Sequence, residues 1–140
     1  MRNSSRSTEH RSSKPLAVLL CAALAGSAQA AETVAEFTGS YSRNTPEFEV
    51  RAPWLLDWRV TSDGAYDLAV EVSLEEAGTS VHVGRVLMAK FPGNGARLFD
   101  QGGRFYFRVD SQFANWTLKV QELTKEEAAL YRPRERSLLD

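Results

Sequence analysis

The sequence predicts an all-β protein, a single antiparallel β-sandwich of about seven short strands with a short C-terminal helix. Segments in which apolar and polar residues alternate recur at intervals of roughly 8–14 residues, separated by turn residues such as Asp63-Gly64 and PGNG at 92–95. The stretch GGRFYFRVDSQFANWTLKV, residues 102–120, contains two such segments, with bulky side chains on one face and mostly polar ones on the other. This pattern is typical of a sheet with one packed face and one solvated face.

Residues 1–30 have the composition of a cleaved signal peptide. A basic start precedes the apolar run PLAVLLCAALAG, and the small residues SAQA precede AETV, which places cleavage after Ala30. The apolar run is about a dozen residues long, whereas a membrane-spanning helix needs about 20 apolar residues. We therefore expect a folded domain over 31–123, a helix and tail over 124–140, no membrane span in the mature chain, and a periplasmic or extracellular location.

The composition of the mature chain excludes several classes of protein. Cys21, the single cysteine, lies in the leader, and Leu19 and Leu20 precede it where a lipoprotein signal has small residues. Residues 31–140 thus offer no disulfide, thiol nucleophile or cysteine metal cluster. They hold 13 Lys and Arg against 17 Asp and Glu, a net charge of −4 without a basic patch, so we expect no nucleic acid partner.

The alternating segments assign the strands in chain order. They are EFEVRA, WLLDWRVTS, YDLAVEVSL, SVHVGRVLMAKF with a break at Gly84, ARLFD, and the two halves of residues 102–120. A large apolar side chain contributes about 1.5–3 kcal/mol when it is buried, so the alternating set is expected to form the core rather than a ligand platform. That set comprises Phe48, Val50, Trp54, Leu56, Trp58, Val60, Tyr66, Leu68, Val70, Val72, Leu74, Val81, Val83, Val86, Met88, Leu98, Phe105, Phe107, Val109, Trp116, Leu118 and Val120.

The segment after Leu123 changes from strand to helix character. Thr124 stands three residues before Glu127, which is a capping-box spacing, and two alanines and a leucine follow. Pro133 ends a helix that is therefore short.

Two hairpins follow from the requirement that paired strands share an apolar face. Val60 is expected opposite Leu68 across an odd-numbered loop, and Phe107 opposite Leu118 across an even-numbered one. The first register places Asp57 directly opposite Glu71, where like charges repel. Either Arg59, which could bridge the two carboxylates diagonally, or a bound metal cation would have to compensate. A Ca²⁺ site needs six to eight oxygens, and no D-x-D-x-D-G loop is present, so an arginine bridge is expected.

No catalytic residue, metal site or cofactor is expected. His82 is the single histidine of residues 31–140, so neither a Cys–His pair nor a multi-histidine metal site can form. Glu75 and Glu76 are neighbours at a strand end and point in opposite directions, which does not match the facing carboxyl groups of a glycosidase. We expect His82 to be a surface histidine.

Three aromatic residues fall outside the core alternation and are the candidate ligand-binding residues. They are Tyr41 in TGSYSRN, Tyr106 on the solvated face, and Phe113 in SQFA. With the polar residues beside them they would suit a sugar-binding strip. The alternative, which is the more frequent role of such residues, is that they plug the open ends of a sandwich or cover a sheet face with their rings. The polar neighbours are Asn44, Gln112 and Asn115.

The stretches PWLLDWRVTSDGAYDLAVEV and GGRFYFRVDSQFANWTLKV resemble a pattern in small exported bacterial β-sandwich domains of uncharacterised function. The pattern is also similar in style to the sandwich domains attached to secreted bacterial peptidases. The resemblance implies structural roles and no catalytic residues, and the chain departs from the many members that resemble lipoproteins because it has no lipobox. The matching residues are Trp54, Trp58, Gly103, Tyr106 and Trp116.

These observations predict a secreted or periplasmic, non-enzymatic binding protein of the bacterial envelope. Its partner is expected to be an envelope protein or a glycan. The alternatives are a carbohydrate-binding module for cell-wall or extracellular polysaccharide and, as the least favoured, a hydrolase.

Overall fold

The computed structural model describes residues 31–62, 64, 67–79 and 81–132. The predicted signal peptide and the tail after Arg132 lie outside the described residues. Within them the chain consists mainly of strands. The elements are β1 (Glu32–Gly39), β2 (Arg43–Asn44), β3 (Phe48–Val50), β4 (Trp54–Ser62), β5 (Ala69–Glu76), β6 (His82–Ala89), β7 (Gly93–Phe99), β8 (Gly103–Gln112), β9 (Ala114–Glu122) and α1 (Lys125–Ala129).

The strands form two antiparallel sheets that pack face to face. Sheet I has the strand order β1-β9-β4-β7, and sheet II has the order β2-β8-β5-β6, with β3 also paired to β8. The chain alternates between the sheets and stays in one sheet from β2 to β3 and from β5 to β6. This is the jelly-roll arrangement of a β-sandwich. The predicted all-β sandwich is thereby confirmed.

The core lies between the sheets and contains most of the predicted apolar set. Phe107 is 0% exposed and Trp116 is 1% exposed, so the aromatic residues of 102–120 are largely core, as predicted. The aromatic rings pack on one another. Trp54 stacks on Phe99 with 4.1 Å between the ring centroids, and the centroids of Phe48 and Phe107 are 5.1 Å apart. The main buried cluster is Phe48, Val50, Trp54, Leu56, Val60, Leu68, Val70, Val72, Leu74, Val86, Leu87, Phe105, Phe107, Val109, Ala114, Trp116, Leu118 and Val120.

The predicted hairpins are wrong, although the predicted faces of their strands are right. Val60 lies opposite Gly93 and Trp116 in sheet I, whereas Leu68 precedes β5, which belongs to sheet II. β8 and β9 likewise belong to opposite sheets, so Phe107 pairs with Leu74 instead of Leu118. The alternation of a strand specifies which of its faces is buried but not which strand is its hydrogen-bonded neighbour. Two strands with buried apolar faces can therefore lie side by side in one sheet or face each other across the core.

The edge strand β6 departs from the predicted alternation. Its pairing with β5 shifts register twice, and each bulge re-aims the following side chains. Val86 and Leu87 are therefore both buried. Val81, Val83 and Met88, which the alternation assigned to the core, are 53%, 48% and 56% exposed.

Two strands were missing from the prediction, and the helix was correct. β1 contains a register shift between Thr33 and Ala35, which breaks its alternation, and β2 has two residues. In α1 the Thr124 hydroxyl accepts a hydrogen bond from the Glu127 backbone N–H at 3.2 Å, which is the predicted cap. Beyond the helix, Arg132 donates two hydrogen bonds to the Asp100 carboxylate.

Candidate functional site

Exposed aromatic side chains collect at one end of the sandwich. The register places the ends of β1, β4, β6 and β8 and the starts of β5, β7 and β9 at this end. Tyr41 lies between β1 and β2, Phe91 between β6 and β7, and Phe113 between β8 and β9. Their exposed fractions are 82%, 80% and 55%. We call the surface formed by 40–42, 90–92 and Phe113 the loop end.

Hydrogen bonds hold two of these connections together. The Ser40 hydroxyl donates to Asn115 Oδ1 at 2.6 Å. Ser42 Oγ accepts from the Ser111 backbone N–H at 2.8 Å and donates to the Ser111 carbonyl at 3.3 Å. The indole N–H of Trp116 donates to the Tyr41 carbonyl at 3.2 Å. The backbones that carry Tyr41 and Phe113 are therefore fixed to the same rigid corner.

Phe113 has an unusual backbone conformation. Its φ angle is +53°, the left-handed region that glycine or asparagine ordinarily occupies. The chain turns here from sheet II into sheet I with a single residue between β8 and β9. A bulky, half-exposed phenylalanine at such a position costs stability, and strained residues of this kind concentrate at functional sites.

The structure separates the third predicted ligand-binding residue from the other two. Tyr106 lies on the outer face of sheet II opposite Glu75, nearer the other end of the sandwich, and is half-buried. Beside it the Nδ1 atom of His82 lies 2.9 Å from Glu75 Oε1, with the histidine side chain 59% exposed and the carboxylate 8% exposed. His82 is thus a surface histidine that covers a buried carboxylate.

A pocket of about 260 Å³ adjoins the loop end on the outer face of sheet II. Ser42 and Ser111, which join the loops, also line it. Glu71 and Asp110 lie in its wall and face each other directly across β5 and β8. The pocket is therefore continuous with the aromatic surface and acidic on one side.

A second, shallow groove of about 460 Å³ crosses the outer face of sheet I. Asp57 lies there beside Lys119, its partner in the β4–β9 register. The predicted juxtaposition of Asp57 and Glu71 is therefore wrong, because the two residues belong to different sheets and face away from each other. Asp57 instead has a residue of opposite charge next to it.

The described residues contain neither a cluster of metal-binding side chains nor a membrane-spanning helix. Within 31–62, 64, 67–79 and 81–132, no group of three or more histidine, cysteine, aspartate or glutamate side chains is placed to hold a metal ion. In the same part of the chain, no helix is long and apolar enough to cross a membrane.

No protein-family model matches the chain, and no curated protein matches it. The chain is similar to the C-terminal domain of a structural protein from Sulfolobus turreted icosahedral virus, with 14% identity, 67% of this chain and 100% of that chain covered, and a TM-score of 0.40. It is also similar to a carbohydrate-binding module from Cellvibrio mixtus lichenase 5A in complex with cellotriose, with 12% identity, coverage of 68% and 87%, and a TM-score of 0.38. The strand order by itself defines the class of protein as a jelly-roll β-sandwich.

Phe91 is the member of the loop end that the sequence analysis missed. It is the last residue of the predicted strand segment SVHVGRVLMAKF and directly precedes Pro92, so the prediction assigned it to the end of a strand. The signal that could have found it is its place in a turn directly before a proline and a glycine, because large apolar residues are uncommon in such turns.

Proposed function

We propose that this chain is an exported binding protein of the bacterial envelope and that its loop end contacts a partner protein. The observation that carries the proposal is the convergence of Tyr41, Phe91 and Phe113, from three separate connections, at one end of a rigid sandwich. Binding residues are often carried on loops that a rigid scaffold positions, and aromatic side chains are enriched at protein interfaces. The left-handed backbone of Phe113 supports the same interpretation, since glycine would fit that corner with less strain.

The polar groups at the loop end favour a protein partner over a glycan. A sugar presents many hydroxyl groups, so a glycan site needs side chains that are available to hydrogen-bond with them. The Ser40 and Ser42 hydroxyls are instead engaged with Asn115 and Ser111 inside the protein. Apart from Lys90, the loop end therefore offers mainly its three exposed rings for contact.

The proposal assigns no reaction to the chain and requires no cofactor. His82 is the one histidine after the leader, and its Nδ1 atom is within hydrogen-bond distance of Glu75. A hydrolase would need a nucleophile or a second acid beside this pair in a cleft.

The export part of the proposal rests on the sequence of residues 1–30. If they are a signal peptide, mass spectrometry of the protein from the producing cells will show Ala31 at the N-terminus. Retention of Met1 would contradict export. A diacylglyceryl group on Cys21 would show that the chain is a lipoprotein and would contradict cleavage after Ala30.

Site-specific photo-cross-linking tests the loop end. The photoreactive amino acid benzoyl-phenylalanine replaces Tyr41, Phe91 or Phe113 in turn, and the cells are irradiated. We expect the same protease-sensitive adduct from all three positions. Replacement of Val81, which is 53% exposed near the opposite end, is the matched control and is expected to give none.

Two outcomes would contradict the proposal. Equal adducts from Val81 and from the loop end would show that contact there is non-specific. An adduct that resists protease and is cleaved by a cell-wall hydrolase would identify the partner as a glycan and favour the carbohydrate-binding alternative.

A further inference from the structure

Two like charges face each other beside the loop end. Glu71 of β5 is the direct cross-strand partner of Asp110 of β8, and both side chains point to the outer face of sheet II. Like charges in this arrangement destabilise a sheet. Within the described ranges, neither carboxylate has a hydrogen bond or an ion pair with another side chain. Among the described residues, no cation therefore contacts either carboxylate directly.

Two cations are near the pair without neutralising it. Lys90 lines the same pocket, and Arg108 lies two residues before Asp110 on the same face of β8. Neither cation lies within 4.0 Å of either carboxylate. Both are exposed and therefore retain most of their hydration.

The surroundings of the carboxylates have the character of a pocket for a long side chain. The pocket has a volume of about 260 Å³, and the 56% exposed Met88 lies across from Glu71 on β6. A flexible thioether packs well against the methylene groups of a lysine or arginine, whose charged head can extend beyond them.

We infer that the partner inserts one lysine or arginine into this pocket while its apolar residues contact the loop end. This inference rests on the proposed function and adds the chemistry of the partner. The occupant is chosen by charge complementarity: a cationic head between Glu71 and Asp110 removes the repulsion that the free protein retains. The Ser42–Ser111 hydrogen bonds link the pocket to the loop end, so one segment of a partner can reach both.

A displayed library of random peptides is the probe that tests the inference. It is selected against three proteins: the native protein, the double variant Glu71→Gln with Asp110→Asn, and the triple variant Tyr41→Ser with Phe91→Ser and Phe113→Ser. Both substitutions in the double variant preserve the shape of the side chains. The native protein is expected to select peptides that combine apolar residues with a lysine or an arginine. The double variant is expected to select peptides that have the apolar residues without a basic one.

Affinity measurements on one selected peptide complete the test. The double variant is expected to bind it about tenfold more weakly than the native protein, as for the loss of one favourable ion pair, and high salt should narrow the difference. Equal affinity of the two proteins for the peptide would overturn the inference, and so would peptides without a basic residue among those that the native protein selects. Neither result would affect the proposed role of the loop end. If the triple variant selects the same peptides as the native protein, the aromatic residues of the loop end do not contribute to binding. That result would overturn the proposed function and this inference with it.

Discussion

At the scale of single residues, two tryptophans depend on glycines in the neighbouring strands. Trp116 is the cross-strand partner of Gly39 on β1, and Trp58 is the partner of Gly95 on β7. A Cβ atom on Gly39 would lie 2.5 Å from Trp116 Cζ2, and one on Gly95 would lie 2.7 Å from Trp58 Cζ2. Both glycines are therefore required by close approach, since each indole lies against the backbone of an edge strand.

The substitution Gly39→Ala is expected to destabilise the protein by about 1–3 kcal/mol through overpacking. Trp116 is 1% exposed and has no room to move, whereas Trp58 is half-buried, so Gly95→Ala should cost less. Gly93→Ala is the matched control, because a Cβ there meets no atom within 4 Å. Urea denaturation followed by tryptophan fluorescence measures the order. Equal midpoints for Gly39→Ala and Gly93→Ala would contradict the packing argument.

At the scale of elements, short segments are attached to the sandwich by a few polar contacts. Thr45, buried between β2 and β3, accepts a hydrogen bond from the Phe107 N–H at 2.9 Å and so fixes both short strands to β8. After α1, the bidentate contact from Arg132 to Asp100 connects the end of the described chain to the β7–β8 connection. The hydrogen bond from Arg132, with its positive charge, lowers the pKa of Asp100.

This second attachment is expected to depend on pH. Because the pKa of Asp100 is lower in the folded protein than in the unfolded chain, the pair favours folding at neutral pH. The contribution is lost as the pH falls through the folded-state pKa. An NMR titration of the Asp100 carboxyl carbon should give a lower midpoint in the native protein than in Arg132→Gln. The stability difference between the two proteins should narrow below about pH 4.

The control for that titration is Lys90→Gln, which removes one positive charge at the other end of the sandwich. It should leave the Asp100 midpoint unchanged. An equal rise of the midpoint in both variants would show that net charge, and not the contact with Arg132, sets the pKa.

At the scale of the whole molecule, the division of strands between two sheets decides which residues meet. Asp57 lies across from Lys119 within sheet I, and Glu71 lies across from Asp110 within sheet II. Most successive strands cross a gap of about 10 Å between the sheets, whereas β5 and β6 pair with each other as a hairpin. The acidic pair and the aromatic end both result from this crossing.

Engineered cysteine pairs test the topology directly, in a chain that begins at Ala31 and so has no other cysteine. Cross-strand partners have Cα atoms about 4.5–5.5 Å apart, within the range that a disulfide spans. Asp57→Cys with Lys119→Cys should therefore form a disulfide, detected by a gel shift under non-reducing conditions. Asp57→Cys with Glu71→Cys should remain reduced. Oxidation of the second pair in preference to the first would restore the hairpin prediction.

Parts of the candidate site were predictable and parts were not. Tyr41 and Phe113 stood out because they fall outside the alternation of the core residues, and the structure places both at the loop end. Phe91 was missed because the prediction made it the last residue of the strand segment SVHVGRVLMAKF. The Glu71–Asp110 pair was also missed, because it depends on which strand lies beside β5.

The sequence by itself determined the fold class, the inward faces of most strands and the capped C-terminal helix. Those features depend on local alternation and local hydrogen bonds, which short segments encode directly. The tertiary structure alone decided which strands are neighbours, that the bulges of β6 leave Val83 and Met88 exposed, and which loops share an end. The physical reason is that an apolar face gains the same burial from a partner sheet across the core whichever strands lie beside it, so pairing is settled by the packing of the whole sandwich.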